Sequence, residues 1–130
     1  MYSILGWLNV IIIGILVSPF ILRFLNTKIL KSKSNNFKNT IKFLRKLHKP
    51  LGLTLAVAAL IHGYLALGSI RLHTGSLLYF SIIITALFGG SFYRLKKKIL
   101  FTWHKRFAFI SFVLLMVHLF YPNALFYLFN

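Results

Sequence analysis

Four histidines are spaced in a way that suits paired metal ligation. His48 and His62 lie fourteen residues apart, and His104 and His118 repeat that spacing. Fourteen residues give a helical rise of roughly 21 Å and equal two heptads, so both histidines of a helix face one seam of a left-handed bundle. If the two helices run parallel, His48 faces His104 and His62 faces His118. Two facing neutral imidazoles suit the axial positions of a haem iron.

Other uses of histidine stay open at this point. Zinc also binds imidazoles, but one site needs three or four ligands close together, and the two pairs are separated along the helices. A single histidine in a membrane helix also serves packing and hydrogen bonding. His73 lies off the fourteen-residue spacing, and we predict a solvated loop residue, with contact to an outer propionate or a quinone as the alternative.

The missing residue types exclude several kinds of chemistry. The chain has no cysteine, so disulfides, thiolate metal sites, iron–sulfur clusters and covalently attached haem are excluded. It also has no Asp or Glu. Hydrolysis, phosphoryl transfer and proton pumping by carboxylates are therefore improbable, because each depends on carboxylate acids, bases or metal cages.

The elements that position the histidines are membrane-length apolar runs. Residues 1–22, 51–70, 75–93 and 99–121 are nearly uncharged, and each approaches the ~20 residues that span a bilayer core. The runs predict helices over about 2–25, 42–70, 74–94 and 99–121, in an all-α integral membrane four-helix up-down bundle. We expect a single transmembrane domain over residues 1–130, so that any flavin, nucleotide or protease activity comes from another protein.

Local signals refine the first two predicted helices. The first charge, Arg23, follows the first apolar run, so we predict a retained helix and not a cleaved signal. Ser18 and Pro19 predict a kink in it. Residues 26–40 predict a polar linker, and Pro50 either falls early in the second helix or kinks one that begins near Thr40.

The positive charges predict the orientation in the membrane. The net charge is +16, and the basic residues cluster around the first and third connections. By the positive-inside rule, the basic connections 26–49 and 94–106 are cytoplasmic and both termini lie outside, in a multi-pass protein of the cell membrane. A basic face also attracts anionic membrane lipid. The charges are not arranged for nucleic acid.

The doubled histidine spacing resembles that of membrane di-haem b-type cytochromes, the broad group with cytochrome b561-like proteins and ferric-reductase-like transmembrane domains. The resemblance covers about residues 41–121 and lies in the histidine spacing alone, and the chain departs from larger members in having four helices and no fused flavin domain. It implies two haem b groups, an inner one on His48 and His104 and an outer one on His62 and His118. Gly52 and Ala108, each four residues after an inner ligand, and the small residues around His62 leave room for a macrocycle.

The expected propionate partners follow from this ligand set. Arg45, Lys49, Lys105 and Arg106 are placed to contact propionates of the inner haem, and Arg71, His73 or Tyr121 those of the outer haem. A solvated role for each of these side chains stays open.

The resemblance implies transmembrane electron transfer between a quinone or cytoplasmic reductant and an external acceptor or redox partner protein. One alternative is a quinone-linked oxidoreductase that acts alone at a haem edge. The other is a haem-free membrane anchor or assembly subunit whose histidines pair helices.

Overall fold

The chain is described by a computed structural model over residues 1–69 and 71–130, where it is all-helical and has no strands. The elements are α1 (Tyr2–Leu25), a π-helical segment (Asn26–Leu30), α2 (Asn35–Leu67), α3 (Thr74–Leu95), α4 (Lys98–Phe120) and α5 (Ala124–Phe129). Within the described residues, four helices are long and apolar enough to cross a membrane: Tyr2–Leu30, α2, α3 and α4. The all-helical prediction is confirmed.

The helix bounds differ from the predictions mainly between the first two helices. The predicted linker over 26–40 is wrong, because only residues 31–34 are non-helical there. Helix α2 begins at Asn35 and not near residue 42. Its predicted end at residue 70 lies outside the described residues. The bounds of α3 and α4 agree with the predicted 74–94 and 99–121 to within one residue, and α5 was not predicted.

Both helix-interior prolines have a hydroxyl group close by. Pro19 has no N–H to bond the carbonyl of Ile15, and Ser18 Oγ donates to that carbonyl at 2.6 Å. Pro50 lies well inside α2, so its predicted place early in the helix is wrong. Thr54 Oγ1 donates to the Pro50 carbonyl at 2.8 Å. The chain therefore supplies the Ile15 carbonyl with a local hydrogen-bond donor.

The described residues form two compact units, Met1–Ala59 and Leu60–Asn130. The buried apolar residues of the first unit are Ile12, Ile13, Ile41 and Leu55. Asn9 is also buried there, and among the described residues its Oδ1 has no hydrogen-bond partner.

In the second unit, α3 and α4 pack against each other in antiparallel directions. Ser81 and Ser111 share a buried hydrogen bond of 2.8 Å between their hydroxyls, and Thr85 Oγ1 lies 3.3 Å from Ser111 Oγ. Phe92 on α3 contacts Phe101 on α4, with ring centroids 5.0 Å apart. Since residues late in α3 meet residues early in α4, the pair fixes the register of the α4 histidines against α3.

Two lysines adopt left-handed backbone conformations where helical segments end. Lys31 follows the π-helical segment with φ of 47°, and Lys96 follows α3 with φ of 56°. A left-handed conformation costs a non-glycine residue roughly 1–2 kcal/mol. A positive side chain also complements the negative end of a helix dipole.

Candidate functional site: two imidazoles seated on α3

The four histidines of the predicted ligand set are half-buried and belong to two helices. His48 lies on the part of α2 that belongs to Met1–Ala59. His62, His104 and His118 all lie in Leu60–Asn130. The predicted partners His62 and His118 thus belong to the same unit.

The His104 imidazole is fixed by a backbone group of α3. Its Nδ1 lies 2.8 Å from the carbonyl oxygen of Thr85. A carbonyl only accepts, so Nδ1 carries the hydrogen and donates. The ring also lies directly on Gly89, where an added Cβ would come within 2.9 Å of Nδ1.

The His118 imidazole is fixed by a side chain of α3. Its Nδ1 lies 3.0 Å from Thr74 Oγ1, and Thr74 donates its own hydroxyl hydrogen to the carbonyl of Pro122 at 2.6 Å. Since Thr74 has only one hydrogen to give, it accepts from His118 Nδ1. Thr74 is 3% exposed. A Cβ at Gly75 would come within 3.0 Å of His118 Cε1.

These contacts define the chemistry that the two imidazoles offer. With the hydrogen on Nδ1 in both rings, the lone pair lies on Nε2. Metal-binding histidines commonly donate their second ring N–H to a carbonyl or another oxygen, which fixes ring orientation and raises ligand basicity. His104 and His118 therefore fit axial coordination through Nε2. Within the described part of the chain, no group of three or more His, Cys, Asp or Glu side chains is placed to hold a metal ion.

Gly75 and Gly89 are the functional positions that sequence reasoning missed. Each receives one α4 imidazole, and they are fourteen residues apart, like His104 and His118. In an antiparallel pair this shared spacing brings each histidine opposite one glycine. The repeated spacing is the sequence signal that could have identified these two glycines as the positions that contact the imidazoles.

The space beside α2 is open at two of its glycines. A Cβ added at Gly52 or at Gly63 would meet no atom of the described residues within 4 Å. Gly52 is four residues after His48, and Gly63 is next to His62. Ala108, the counterpart of Gly52 on α4, is half-buried.

His73 caps α3 and is half-buried, in contrast to the predicted solvated loop residue. Its Nδ1 accepts from the Gly75 N–H at 3.4 Å, so its ring hydrogen lies on Nε2, which is 3.4 Å from Asn123 Oδ1. The ring also meets His118 edge to face, with centroids 6.0 Å apart. His73 thus has the opposite tautomer to His118 and a structural role at the start of α3.

The side chains predicted to bind propionates are exposed and occupy different places. Arg45 and Lys49 lie on α2 in the first unit. Arg71 Nε donates to Ser69 Oγ at 2.9 Å. The Lys105 ammonium lies 4.9 Å from the centre of the Phe101 ring, and the Arg106 guanidinium lies 5.1 Å from that of Trp103.

Tyr121, the other predicted outer contact, is exposed and follows directly on the last residue of α4. Comparison with known proteins adds no further assignment of these residues, because no family model, curated protein or solved structure matches the chain. The observation that bears on function is that hydrogen bonds and glycine contacts hold the two α4 imidazoles against α3.

Proposed function

We propose that this chain is a multi-pass integral protein of the cell membrane with an up-down arrangement of four spanning helices. Four helices of sufficient length and apolarity support this proposal, and so do the large apolar side chains exposed on them, among them Ile4, Leu53, Leu87 and Phe109. Such exposed apolar surface is typical of contact with lipid. The basic residues around 26–49 and 94–106 favour a cytoplasmic position for these connections, with both termini outside.

We further propose that the protein is a di-haem b-type cytochrome subunit, with an inner haem held by His48 and His104 and an outer haem held by His62 and His118. The observation that carries this proposal is the pair of α4 imidazoles that both donate from Nδ1 to α3. Each is thereby oriented as an axial ligand through Nε2. His48 and His62 repeat the same spacing on α2, which supports one partner for each.

A haem held by two histidines would supply one-electron transfer and not oxygen binding. The role of the chain is to hold the ligands and to exclude water. Thr74 and the Thr85 carbonyl keep the imidazoles in one tautomer, and Gly75 and Gly89 let the rings approach the α3 backbone. The function would be electron transfer across the membrane, from a quinone or cytoplasmic reductant to an external acceptor or a partner protein.

The basic side chains have a secondary part in this proposal. Arg45, Lys49, Lys105 and Arg106 would contact propionates of the inner haem, and Arg71 those of the outer. Propionates are anionic and point toward water, and an exposed guanidinium or ammonium complements them without burying a charge.

A second candidate function is favoured by the same hydrogen bonds. They join α3 to α4, as would be expected of a haem-free anchor or assembly subunit that uses histidines to pair its helices. In that function the imidazoles need no second histidine. The equal spacing on α2 favours the cytochrome, since helix pairing between α3 and α4 does not involve His48 or His62.

The deciding experiment is the dithionite-reduced minus oxidised visible spectrum of the detergent-purified protein, with a pyridine haemochrome assay of haem per chain. The cytochrome proposal expects low-spin b-type bands and about two haems per chain. A colourless, folded protein from cells supplied with haem would refute it and leave the anchor function. Oxidation of a quinol with an external acceptor by the purified protein alone would instead identify a complete oxidoreductase.

A further inference from the structure

A basic cleft opens inside the first compact unit, between the end of α1 and the start of α2. Its volume is about 610 Å³. Four of the side chains that line it are cationic: Arg23 from α1, and Lys38, Lys42 and Arg45 from α2. None of the four histidines lines the cleft, and its description does not depend on haem.

The charges of the cleft have no carboxylate to balance them. The whole chain contains no Asp or Glu, so every ionic partner of these side chains must come from outside the protein's own side chains. Lys38, Lys42 and Arg45 follow one another at intervals of four and three residues on α2. Side chains at these intervals are neighbours on one helix face, where like charges destabilise the helix. A bound anion would relieve this repulsion.

The cleft is also lined by polar residues of a turn that side-chain hydrogen bonds close. Asn26 Oδ1 accepts from the Ser32 N–H at 2.7 Å, and Asn26 Nδ2 donates to the Ser32 carbonyl at 3.2 Å. Lys31, in its left-handed conformation, reverses the chain between these two residues. Thr27 Oγ1 donates to the Arg23 carbonyl at 2.9 Å. These bonds thus close the turn that leads from the π-helical segment toward α2.

Part of the cleft wall is apolar. Ile41 is buried and Phe37 is half-buried, and both line the cleft beside the cations. A free inorganic anion would gain nothing from contact with this apolar wall, whereas an amphiphile with an anionic headgroup would contact both the wall and the cationic side chains. Arg23 also follows directly on the apolar run of α1, which is the level of lipid headgroups if α1 spans the membrane.

We propose that this cleft binds the phosphate of an anionic membrane lipid. The guanidinium group of Arg23 matches phosphate oxygens as a paired donor, and Lys38 and Lys42 add point charges. Phe37 and Ile41 contact the glycerol and the first acyl carbons. This inference rests on the membrane part of the proposed function and not on the haem part. The shared ligand chemistry is a phosphate group, and inorganic phosphate is the other source to be tested.

The test is native mass spectrometry of the full-length protein in non-ionic detergent. It is titrated with phosphatidylglycerol or with phosphatidylcholine of the same acyl chains, and in a third arm with inorganic phosphate. The variant is Arg23→Gln/Lys38→Gln/Lys42→Gln. The control, Lys28→Gln/Lys33→Gln/Lys98→Gln, removes the same charge from exposed lysines outside the cleft lining.

We expect wild type and control to hold one phosphatidylglycerol in preference to phosphatidylcholine, and the cleft variant to lose about a hundredfold in that affinity. Equal losses in both triple variants would overturn the proposal, because general surface charge would then explain the binding. Inorganic phosphate that displaces the lipid at equal concentration would also overturn it in favour of a free-anion site.

A second variant guards against misfolding of the triple variant. Lys42→Gln alone should weaken phosphatidylglycerol binding by roughly fivefold, and Lys42→Arg should restore it, with unchanged helical circular dichroism in both. Unchanged binding in Lys42→Gln would count against the cleft. Lipid adducts are read by mass, so loss of haem would be recorded separately from loss of lipid.

Discussion

His104 and His118 occupy equivalent places on α4, yet α3 holds them by different means. His104 donates to the backbone carbonyl of Thr85, whereas His118 donates to the side-chain hydroxyl of Thr74, which is itself bonded to Pro122. Both rings lie on glycine. Both imidazoles therefore lie against a glycine of α3, whereas the group that accepts the hydrogen bond differs between the two histidines.

This difference determines at which of the two histidines a single substitution can remove the hydrogen-bond acceptor. A backbone carbonyl persists in any substitution of Thr85, so the orientation of His104 is built into the helix. The acceptor for His118 is a side chain that a single substitution removes. Because second ring N–H bonds tune ligand basicity, the outer site of the proposed cytochrome would be the one whose potential a side-chain substitution adjusts independently.

The largest effect is expected from removal of a ligand at one level. If the cytochrome proposal holds, His118→Leu should reduce the haem content from two to about one per chain, and His104→Leu should do the same for the other haem. Pyridine haemochrome assays measure the content, and redox titration of each variant identifies which potential is lost. Retention of both haems in either variant would end the assignment of that histidine.

The glycine seats should give the next largest effect. Gly89→Ala places a Cβ within 2.9 Å of His104 Nδ1, so the ring must shift and haem affinity at that level should fall about tenfold. Gly75→Ala should do the same for His118. Gly90→Ala is the matched control, because its Cβ meets no atom of the described residues within 4 Å. Equal haem loss in Gly90→Ala and Gly89→Ala would show that helix substitution, not the seat, is responsible.

A smaller effect is expected from the acceptor that distinguishes the sites. Thr74→Val removes the bond to His118 Nδ1, so the ligand becomes less basic and the outer haem potential should rise by about 30–60 mV. Spectroelectrochemical titration should show one shifted and one unshifted midpoint. Thr74→Ser should restore the potential. Thr85→Val keeps the carbonyl that His104 uses, so a comparable shift in that variant would contradict the comparison.

The smallest effect is expected from the hydroxyl pair that lies midway between His104 and His118 along α4. Ser111→Ala removes the hydroxyl pair with Ser81 and should lower the free energy of unfolding by about 0.6 kcal/mol, the average for such bonds in membrane helices. Thermal unfolding of Ser81→Ala, Ser111→Ala and the double variant Ser81→Ala/Ser111→Ala measures the coupling. Both haem spectra should stay unchanged, and a change confined to one of them would mean that this contact belongs to that level.

The sequence predicted the elements well where apolar runs and turn residues agreed. The bounds of α3 and α4 follow from uncharged runs flanked by basic connections. The start of α2 was missed because residues 35–40 are polar and basic, and such residues form helix as readily as linker when one face packs. Helix α5 has six residues and was missed because it is too short to show a helical period in the sequence.

For the site, spacing predicted the histidines but not their supports. The periodicity of α4 places His104 and His118 on one seam, since fourteen residues are two heptads. The choice of Thr85 carbonyl and Thr74 hydroxyl depends on the register between α3 and α4, which no single helix encodes. The capping role of His73 was missed for a related reason, because it depends on where α3 begins and on Asn123 beyond α4.

At Lys31 and Lys96, the left-handed backbone favours glycine, whereas the proposed membrane orientation favours a positive charge. Glycine would adopt either conformation without steric cost, so Lys31→Gly or Lys96→Gly would relax the backbone. In the proposed orientation, each would also delete a positive charge that retains its connection on the cytoplasmic side. Selection for correct insertion into the bilayer can thus preserve a conformational penalty that selection for stability alone would remove.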